Sequence, residues 1–547
     1  MSTVIELEQA NDTAVLDSAH VGDIRGALGT IAYNDHAQRN SWGARLRTLL
    51  AILGPGLIVM VGDNDAGAFS TYTQAGQNYG TVLLWTLSLL IPVLYVNQEM
   101  VLRLGAVTGV GHARLILERF GKFWGAFSVI DLFILNALTI VTEFIGISLG
   151  LDHLGLSRNG GVMIAATLII ITASTGNFRR FERFALLLVV GSLLLVPVLL
   201  MVHPPVGQIA HNMLVPGMPK GAPLSDVMLL IIAIVGTTVA PWQLFFQQSY
   251  VIDKRITPRF MKYEKADLWI GIVLVIIGAI AMMAFTAATF AGRPEMGQFA
   301  DAGAVAQGIA KYVGATPSVL FSIALIDASI IGAAAVSLST AYAVGDVLAV
   351  NHSLHRKPTE AKLFYAVYAL LVAASAALVL IPNAPLGIIT NAVQTLAGIL
   401  LPGASVFLLL LCNDKAVLGP WVNKPITNLF TTAVVAVLVL LSIILTASVL
   451  YPSISSGQII SLLVGGGVLA LAIAITFGVL HWRRPTATVP ESFAVGKAQW
   501  RMPPLSKLPP AQMSMRRRIW LGVLRAYLAA ALILAIVKVV QLVLAKS

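Results

Sequence analysis

Two aspartates and an asparagine stand side by side, as Asp63-Asn64-Asp65, in a stretch of sequence that is otherwise apolar and rich in glycine. Their carboxylate and amide oxygens are the donors that hard cations such as Mg²⁺, Mn²⁺ and Ca²⁺ prefer. An ionised carboxylate in apolar surroundings costs several kcal/mol, and no Lys or Arg is close in sequence to compensate it. Either a bound cation compensates these acids, or they line a water-filled vestibule without coordinating anything.

A second irregular segment, Gly236 to Trp242, lies much later in the chain. Like the segment Gly62 to Gly67 around the acids, it interrupts a long apolar run, and its Pro241 cannot continue a helix. Discontinuous helices at corresponding positions of two halves are typical of inverted-repeat transporters, whose ion site lies where the helices unwind. We therefore expect the two segments to form one site.

The elements that position these residues follow from composition. Of the 547 residues, 57% are hydrophobic and only 11% charged, whereas soluble domains have roughly 25% charged residues. Apolar runs of about 18 or more residues, long enough to cross a bilayer core about 30 Å thick, recur from Leu49 onwards. We predict spans near 51–75, 81–103, 125–151, 160–177, 184–202, 226–251, 267–291, 318–349, 363–381, 388–411, 429–450 and 459–481.

The predicted fold is an all-α membrane protein with an inverted five-helix repeat. Spans 1–5 and 6–10 form the two halves, spans 1 and 6 are broken, and two or three extra helices follow. Four regions are expected: a flexible cytoplasmic arm, the transporter domain of about twelve helices, a linker, and a hydrophobic helix that spans the membrane or lies at its surface. Their bounds are 1–48, 49–481, 482–517 and 518–547.

The formal net charge of +11 could indicate nucleic-acid binding, but its distribution indicates membrane topology instead. With the amino terminus inside, seventeen Lys and Arg residues fall in cytoplasmic loops and four in the opposite loops, as the positive-inside rule requires. We predict a multi-pass protein of the plasma membrane, the inner membrane in a bacterium, with a cytoplasmic amino terminus. The single cysteine, Cys412, excludes a Cys-rich metal site, and no cofactor or nucleic-acid partner is expected.

The stretch from Gly54-Pro55-Gly56 to Gly67 resembles the first-helix signature of the natural resistance-associated macrophage protein (NRAMP) family of divalent-metal transporters. The resemblance covers roughly residues 50–480 and implies a transporter rather than an enzyme. It also implies that Asp65 is the metal-binding aspartate and that Thr237 presents its backbone carbonyl to the metal. Supporting matches are Arg103-Leu104-Gly105, Val107-Thr108-Gly109, Glu143 with Gly146, Leu401-Pro402, and Asn413-Asp414-Lys415 with Gly419.

Departures from the family pattern bear on the choice of ion. The family usually has Pro and Asn where this chain has Ala66 and Ala68, and Met-Pro-His where it has Ala240-Pro241-Trp242. A methionine sulfur is a soft donor that favours transition metals, so its loss leaves a wider, all-oxygen site. Such a site suits partly hydrated Mg²⁺, which sheds water reluctantly. The pattern resembles the NRAMP-related magnesium transporter branch, which implies Mg²⁺ transport with Mn²⁺ also accepted.

Proton coupling is expected to be weak or absent, because a proton relay needs titratable side chains along it. Trp242 stands where the family usually has histidine, and Ile140 stands where it usually has aspartate, three positions before Glu143. A divalent ion gains about 4.6 kcal/mol per 100 mV of membrane potential, which is enough for uptake without a co-ion.

Other functions stay open. The first is a proton-coupled Mn²⁺ or Fe²⁺ transporter of the NRAMP type. The second is a sodium-coupled amino-acid symporter of the same fold, which explains paired acids poorly because a substrate carboxylate prefers free amides. An intramembrane hydrolase is disfavoured, since aspartates two apart in sequence rarely face each other across a water.

The remaining candidates are ranked lower. Gln394 offers a side-chain oxygen near the middle of the tenth span, and the glutamines after Pro241 either hold water around the ion or join helices. Glu99 and Arg103, four residues apart, are expected to form a structural ion pair. The predicted metal site comprises Asp65, Asp63, Asn64, Thr237, Ala240 and Gln394, and the predicted pathway adds Glu143, Trp242, Gln243, Gln247 and Asp327.

Overall fold

A computed structural model of the chain describes residues 14–381, 386–450, 455–482, 496–509 and 511, with five positions between 521 and 533. The predicted hydrophobic helix over 518–547 therefore lies almost entirely outside the described residues. Residues 483–495, the first part of the predicted linker, also lie outside the described residues.

The described residues form one helical bundle and a small hairpin. Strands β1 (Ile24–Gly26) and β2 (Gly29–Ile31) precede the first helix. The helices of the first half are α1 (Trp42–Ile52), α2 (Pro55–Val61), α3 (Ala66–Tyr79), α4 (Trp85–Thr108), α5 (His112–Phe120), α6 (Lys122–His153), α7 (Arg158–Ala173), α8 (Phe178–Gly191), α9 (Leu195–Val202) and α10 (Val206–Leu214). The remaining helices are α11 (Leu224–Thr238), α12 (Pro241–Asp253), α13 (Met261–Phe290), α14 (Ala302–Tyr312), α15 (Ala315–Leu348), α16 (Lys362–Val379), α17 (Leu386–Cys412), α18 (Lys415–Leu418), α19 (Pro425–Leu450) and α20 (Ser456–Trp482).

The predicted spans all have helical counterparts, with bounds that differ by a few residues. Within the described residues, eight helices are long and apolar enough to cross a membrane, or up to ten if two bent pairs each count as one span. The prediction of an all-α membrane protein is confirmed.

The first broken helix consists of α2 and α3. Helix α2 ends at Val61, and the amides of residues 63 and 64 turn back to carbonyls three residues earlier, at 3.2 and 3.1 Å. Asp65 is the N-cap of α3, where its side chain accepts a hydrogen bond from the Ala68 amide at 2.9 Å. Because an N-cap aspartate satisfies an amide that the helix leaves unpaired, the acids lie in the break rather than within a helix.

The second broken helix consists of α11 and α12. Helix α11 ends at Thr238, and Ala240 is extended, with φ −83° and ψ 144°. Pro241 begins α12, a position where its missing N–H costs no intrahelical hydrogen bond. The two breaks stand five spans apart, as the predicted repeat requires.

The two halves interlock around these breaks. Helix α13 packs along α2 and α3, while α12 packs between α4 and α15. Helix α6 packs along α15 for much of its length. The first broken helix therefore packs against α13 of the second half, and the second broken helix contacts α4 of the first half and α15 of its own half.

The amino-terminal arm is more ordered than the sequence predicts. Residues 1–48 show no period, yet β1 and β2 pair antiparallel with Ile24 opposite Ile31, and both isoleucines are buried. The arm is fixed by Asp17, which accepts hydrogen bonds from Arg356 at 2.6 and 2.9 Å. The expectation of a flexible arm is wrong for this part, because three-residue strands are too short to produce a recognisable period.

Candidate metal site

The two breaks lie side by side. The Trp242 ring faces the first break, since a Cβ placed on Gly62 would lie 3.7 Å from its Cη2 atom. Thr238, the last residue of α11, is hydrogen-bonded through its Oγ1 to the Tyr72 hydroxyl of α3 at 2.7 Å. The prediction that both segments contribute to one region is therefore consistent with their placement.

Asp63 is positioned by two glutamines. Its Oδ1 accepts a hydrogen bond from Gln243 Nε2, and the Gln243 Oε1 accepts one from Gln98 Nε2 at 2.9 Å. All three side chains are buried. Among the described residues Asp63 Oδ2 has no hydrogen-bond partner, so one oxygen is oriented by the amides and the other is available to a cation.

Asp65 lies beside Glu143 of α6. Glu143 Oε2 accepts a hydrogen bond from the Ala66 amide at 3.1 Å, which places the Glu143 and Asp65 carboxyl groups next to each other as a buried carboxyl pair. A metal ion bound to Asp65 would therefore lie beside a second carboxyl group.

Two glycines allow this carboxyl pair to form. A Cβ on Gly332 of α15 would lie 2.8 Å from Glu143 Oε2 and 3.0 Å from Asp65 Cβ. A Cβ on Gly146 of α6 would lie 2.6 Å from Ala66 Cβ. Helices α6 and α15 thus approach the start of α3 more closely than any larger residue permits.

Asn64 faces the second half of the protein. Its Nδ2 donates to the Val275 carbonyl of α13 at 3.1 Å, and Gly278 leaves room for this amide. Its Oδ1 is buried and has no partner among the described residues. The amide nitrogen therefore anchors the break, and only the oxygen remains as a possible ligand.

Two other predicted ligands lie near the second break. The Thr237 hydroxyl is buried and unpartnered within the described residues, and Ala240 is buried in the extended segment before α12. Gln394 lies in α17, but its side chain is outside the described residues.

The predicted pathway residues are divided between two places. Gln247 lies one turn after Gln243, fully buried, and neither of its amide atoms has a partner among the described residues. Asp327 is only half-buried and lies against Gly191 of α8, since a Cβ on that glycine would lie 2.5 Å from the Asp327 carboxyl carbon. Glu143 and Trp242 adjoin the breaks, as described above.

Sequence reasoning missed Gln98 and Tyr72, which both support the breaks. The available signal for Gln98 was the pair of adjacent amides, Asn97-Gln98, inside an apolar span. The nearby ion pair was predicted and is confirmed: Arg103 Nη2 lies 3.1 Å from Glu99, which also pairs with Lys265 at 2.8 Å.

The donor set determines what the site can bind. Within the described residues, no three His, Cys, Asp or Glu side chains are arranged to hold a metal ion. A cation between the breaks would therefore depend on the carboxylates of Asp63 and Asp65, neutral oxygens and water, which suits a hard ion.

A bundle in which two broken helices meet around buried acids defines a transporter of cations. The chain belongs to the natural resistance-associated macrophage protein-like family, whose model matches residues 56–448. It is thus a divalent metal cation transporter and not an enzyme, as the first-helix signature implies.

Individual relatives agree with this assignment. The divalent metal cation transporter MntH of Ralstonia nicotianae is 29% identical over 411 residues, covering 72% of this chain and 89% of that protein. MntH of Aeromonas hydrophila is 27% identical, covering 71% of this chain and 94% of that protein. The Eremococcus coleocola manganese transporter shares the fold, with a TM-score of 0.60 at 19% identity, covering 82% of this chain and 97% of that one.

Proposed function

We propose that this transporter takes up Mg²⁺ as a partly hydrated ion and also accepts Mn²⁺. The observation that carries the proposal is the all-oxygen donor set at the breaks, with Ala240 in place of a sulfur ligand. Soft donors favour transition metals, whereas carboxylate, carbonyl and water oxygens suit Mg²⁺.

Hydration follows from the small number of ligands. Asp63 Oδ2, Asn64 Oδ1 and the Thr237 hydroxyl have no partners among the described residues. Mg²⁺ demands six oxygens in near-octahedral geometry and usually keeps several waters. A site with few side-chain oxygens, widened by the absence of a longer residue at Ala240, accommodates those waters.

We further propose that uptake of the metal ion does not require transport of protons. The Trp242 ring occupies the space beside Gly62, and Ile140 is fully buried one turn from Glu143. Neither side chain can carry a proton, so Glu143 lacks titratable neighbours at these two positions. The membrane potential supplies the driving force, with the amino terminus in the cytoplasm.

One observation favours the alternative of proton-coupled Mn²⁺ transport. Glu143, a buried group that can take up a proton, lies beside Asp65. The Eremococcus coleocola relative is itself a manganese transporter. No observation in the described residues favours a sodium-coupled amino-acid symporter.

Binding and uptake by purified protein test the proposal. Mg²⁺ and Mn²⁺ should both bind in calorimetric titrations, and both should enter proteoliposomes that contain the protein. Asp65→Ala should abolish uptake of both ions, whereas Asp226→Asn, a matched change at an exposed aspartate of α11, should preserve it. Uptake of Mn²⁺ with no response to Mg²⁺ would contradict the proposal.

A further inference from the structure

A second group of buried charges lies where the arm meets the bundle, and we call it the acidic cluster. It consists of Glu182 on α8, Lys254 after α12, and Glu264 and Asp267 near the start of α13. All four side chains are fully buried. The cluster therefore contains three carboxyl groups and one ammonium group.

Glu182 is compensated by Lys254. The Lys254 ammonium donates to Glu182 at 2.6 Å and to the Leu53 carbonyl at 2.8 Å. Glu182 also accepts a hydrogen bond from the Ala27 amide, in the turn between β1 and β2. This pair therefore joins α8 and the end of α12 both to the arm and to the short link between α1 and α2.

Asp267 is compensated by backbone amides. Its two oxygens accept hydrogen bonds from the Gly54 and Gly56 amides at 3.0 and 2.6 Å. Since these glycines lie at the start of α2, Asp267 holds the first half of the first broken helix against α13.

Glu264 has no such compensation. Neither of its oxygens has a hydrogen-bond partner among the described residues. The charged groups acting on it are Asp267 on its own helix, Lys254 and Glu182, and the ammonium of Lys254 is already paired. An ionised carboxylate buried without a donor costs several kcal/mol and takes up a proton instead.

We propose that Glu264 is a proton-binding site that controls whether the start of α2 separates from α13. In the form with α2 held against α13, which we call closed, Glu264 holds a proton, Asp267 is ionised on the glycine amides, and Glu182 is ionised beside Lys254. When α2 moves away, water reaches the cluster and Glu264 releases its proton to the solution on the same side. The closed form thus holds one proton more than the open form, so acid favours closure.

This proton regulates transport and does not drive it, because it returns to the side from which it came. Regulation by Glu264 would be the same whether the transported ion is Mg²⁺ or Mn²⁺. Ion selectivity and the pH dependence contributed by Glu264 are therefore measured separately.

Transport at equal pH on both sides tests the proposal. Mn²⁺ uptake by wild-type proteoliposomes should fall on acidification by up to about tenfold per pH unit, as a one-proton step allows. Glu264→Gln and Glu264→Met both lack the titrating group and should remove that component of the profile. Glu118→Gln alters an exposed glutamate paired with Arg114 and should retain it. Equal pH profiles for wild type and either Glu264 variant would overturn the proposal.

Infrared spectroscopy tests the protonation state directly. The spectrum of the wild-type protein at neutral pH should contain the carbonyl stretch of one protonated carboxyl group that is missing from Glu264→Gln. Glu118→Gln should show no such loss. If the spectra of wild type and Glu264→Gln agree in this region, Glu264 is ionised and the proposal is wrong.

Discussion

In the proposed transport of Mg²⁺, Ala240 is the residue on which the choice of ion depends most. It lies in the extended segment before Pro241, within the second break. Because an aliphatic residue there supplies neither sulfur nor bulk, it would leave the ion its oxygen ligands and its waters. A thioether side chain at this position would offer a soft ligand and would leave less space for the ion and its waters.

We predict that Ala240→Met shifts the preference from Mg²⁺ towards Mn²⁺ by about tenfold, equivalent to ~1.4 kcal/mol. Competition between the two ions in uptake assays measures the shift. Ala240→Leu adds similar volume without sulfur and should reduce Mg²⁺ uptake without raising affinity for Mn²⁺. If both variants behave alike, volume rather than sulfur determines the selectivity.

The sequence identified those side chains that differ clearly from their neighbours in the chain. Asp63, Asn64 and Asp65 stand out because adjacent polar residues in an apolar run are unusual, and they do lie in the break. Their partners could not be predicted, because Gln243 and Val275 are 180 and 211 positions away in sequence. The orientation of the Asn64 amide towards α13 depends on tertiary packing alone.

The packing of α3 against α6 and α15 depends on glycine at the contact. We predict that Gly146→Ala destabilises the protein by about 1–3 kcal/mol, the usual cost of overpacking, because the new Cβ would lie 2.6 Å from Ala66 Cβ. Thermal unfolding in detergent measures the loss. Gly465→Ala is the matched control in α20, where a Cβ meets nothing within 4 Å, and its melting temperature should equal that of wild type.

The docking of the arm depends on an ion pair at Asp17. Burial opposes ionisation, but the hydrogen bonds from Arg356 prevail and lower the pKa of Asp17 to about 2. Since this pKa is below that of the unfolded chain, ionised Asp17 stabilises docking above about pH 4, and this stabilisation is lost as the pH falls towards 2.

We therefore predict that Asp17→Asn releases the β1–β2 hairpin already at pH 7. Trypsin should then cleave at Arg25 several times faster than in the wild type. Asp35→Asn removes a partly exposed pair with Arg39 elsewhere in the arm and should leave the cleavage rate unchanged. Equal rates for all three proteins would show that Asp17 does not hold the arm.

Helices were predictable from sequence where a long apolar run marked them or where a particular residue type had to end them. Apolar runs gave the spans to within a few residues, and Pro241 gave the second break because proline cannot continue a helix. The arm was not predictable, because its strands contain only three residues each and are stabilised by Glu182 and Arg356 from distant loops and helices. The acidic cluster was not predictable either, because its members come from distant parts of the sequence.

At the scale of the whole molecule, the two halves place one broken helix against the other and enclose both. Asp63, Asp65 and Glu143 lie at the breaks, whereas the acidic cluster lies where the arm meets the bundle. We propose that ion binding and control of access are carried by separate groups, joined through α2. We therefore predict that changes at Ala240 alter ion selectivity and changes at Glu264 alter the pH dependence, with little effect of either on the other property.

Simultaneous recording of Mg²⁺ and protons tests whether the protein takes up hydrated Mg²⁺ without obligatory protons. Proteoliposomes carrying a Mg²⁺ dye and a pH dye would be given an inside-negative potential at equal pH on both sides. We predict that internal Mg²⁺ rises while internal pH stays constant, and that Asp65→Ala abolishes the rise. Acidification in proportion to metal entry, or uptake of Mn²⁺ without Mg²⁺, would contradict the account.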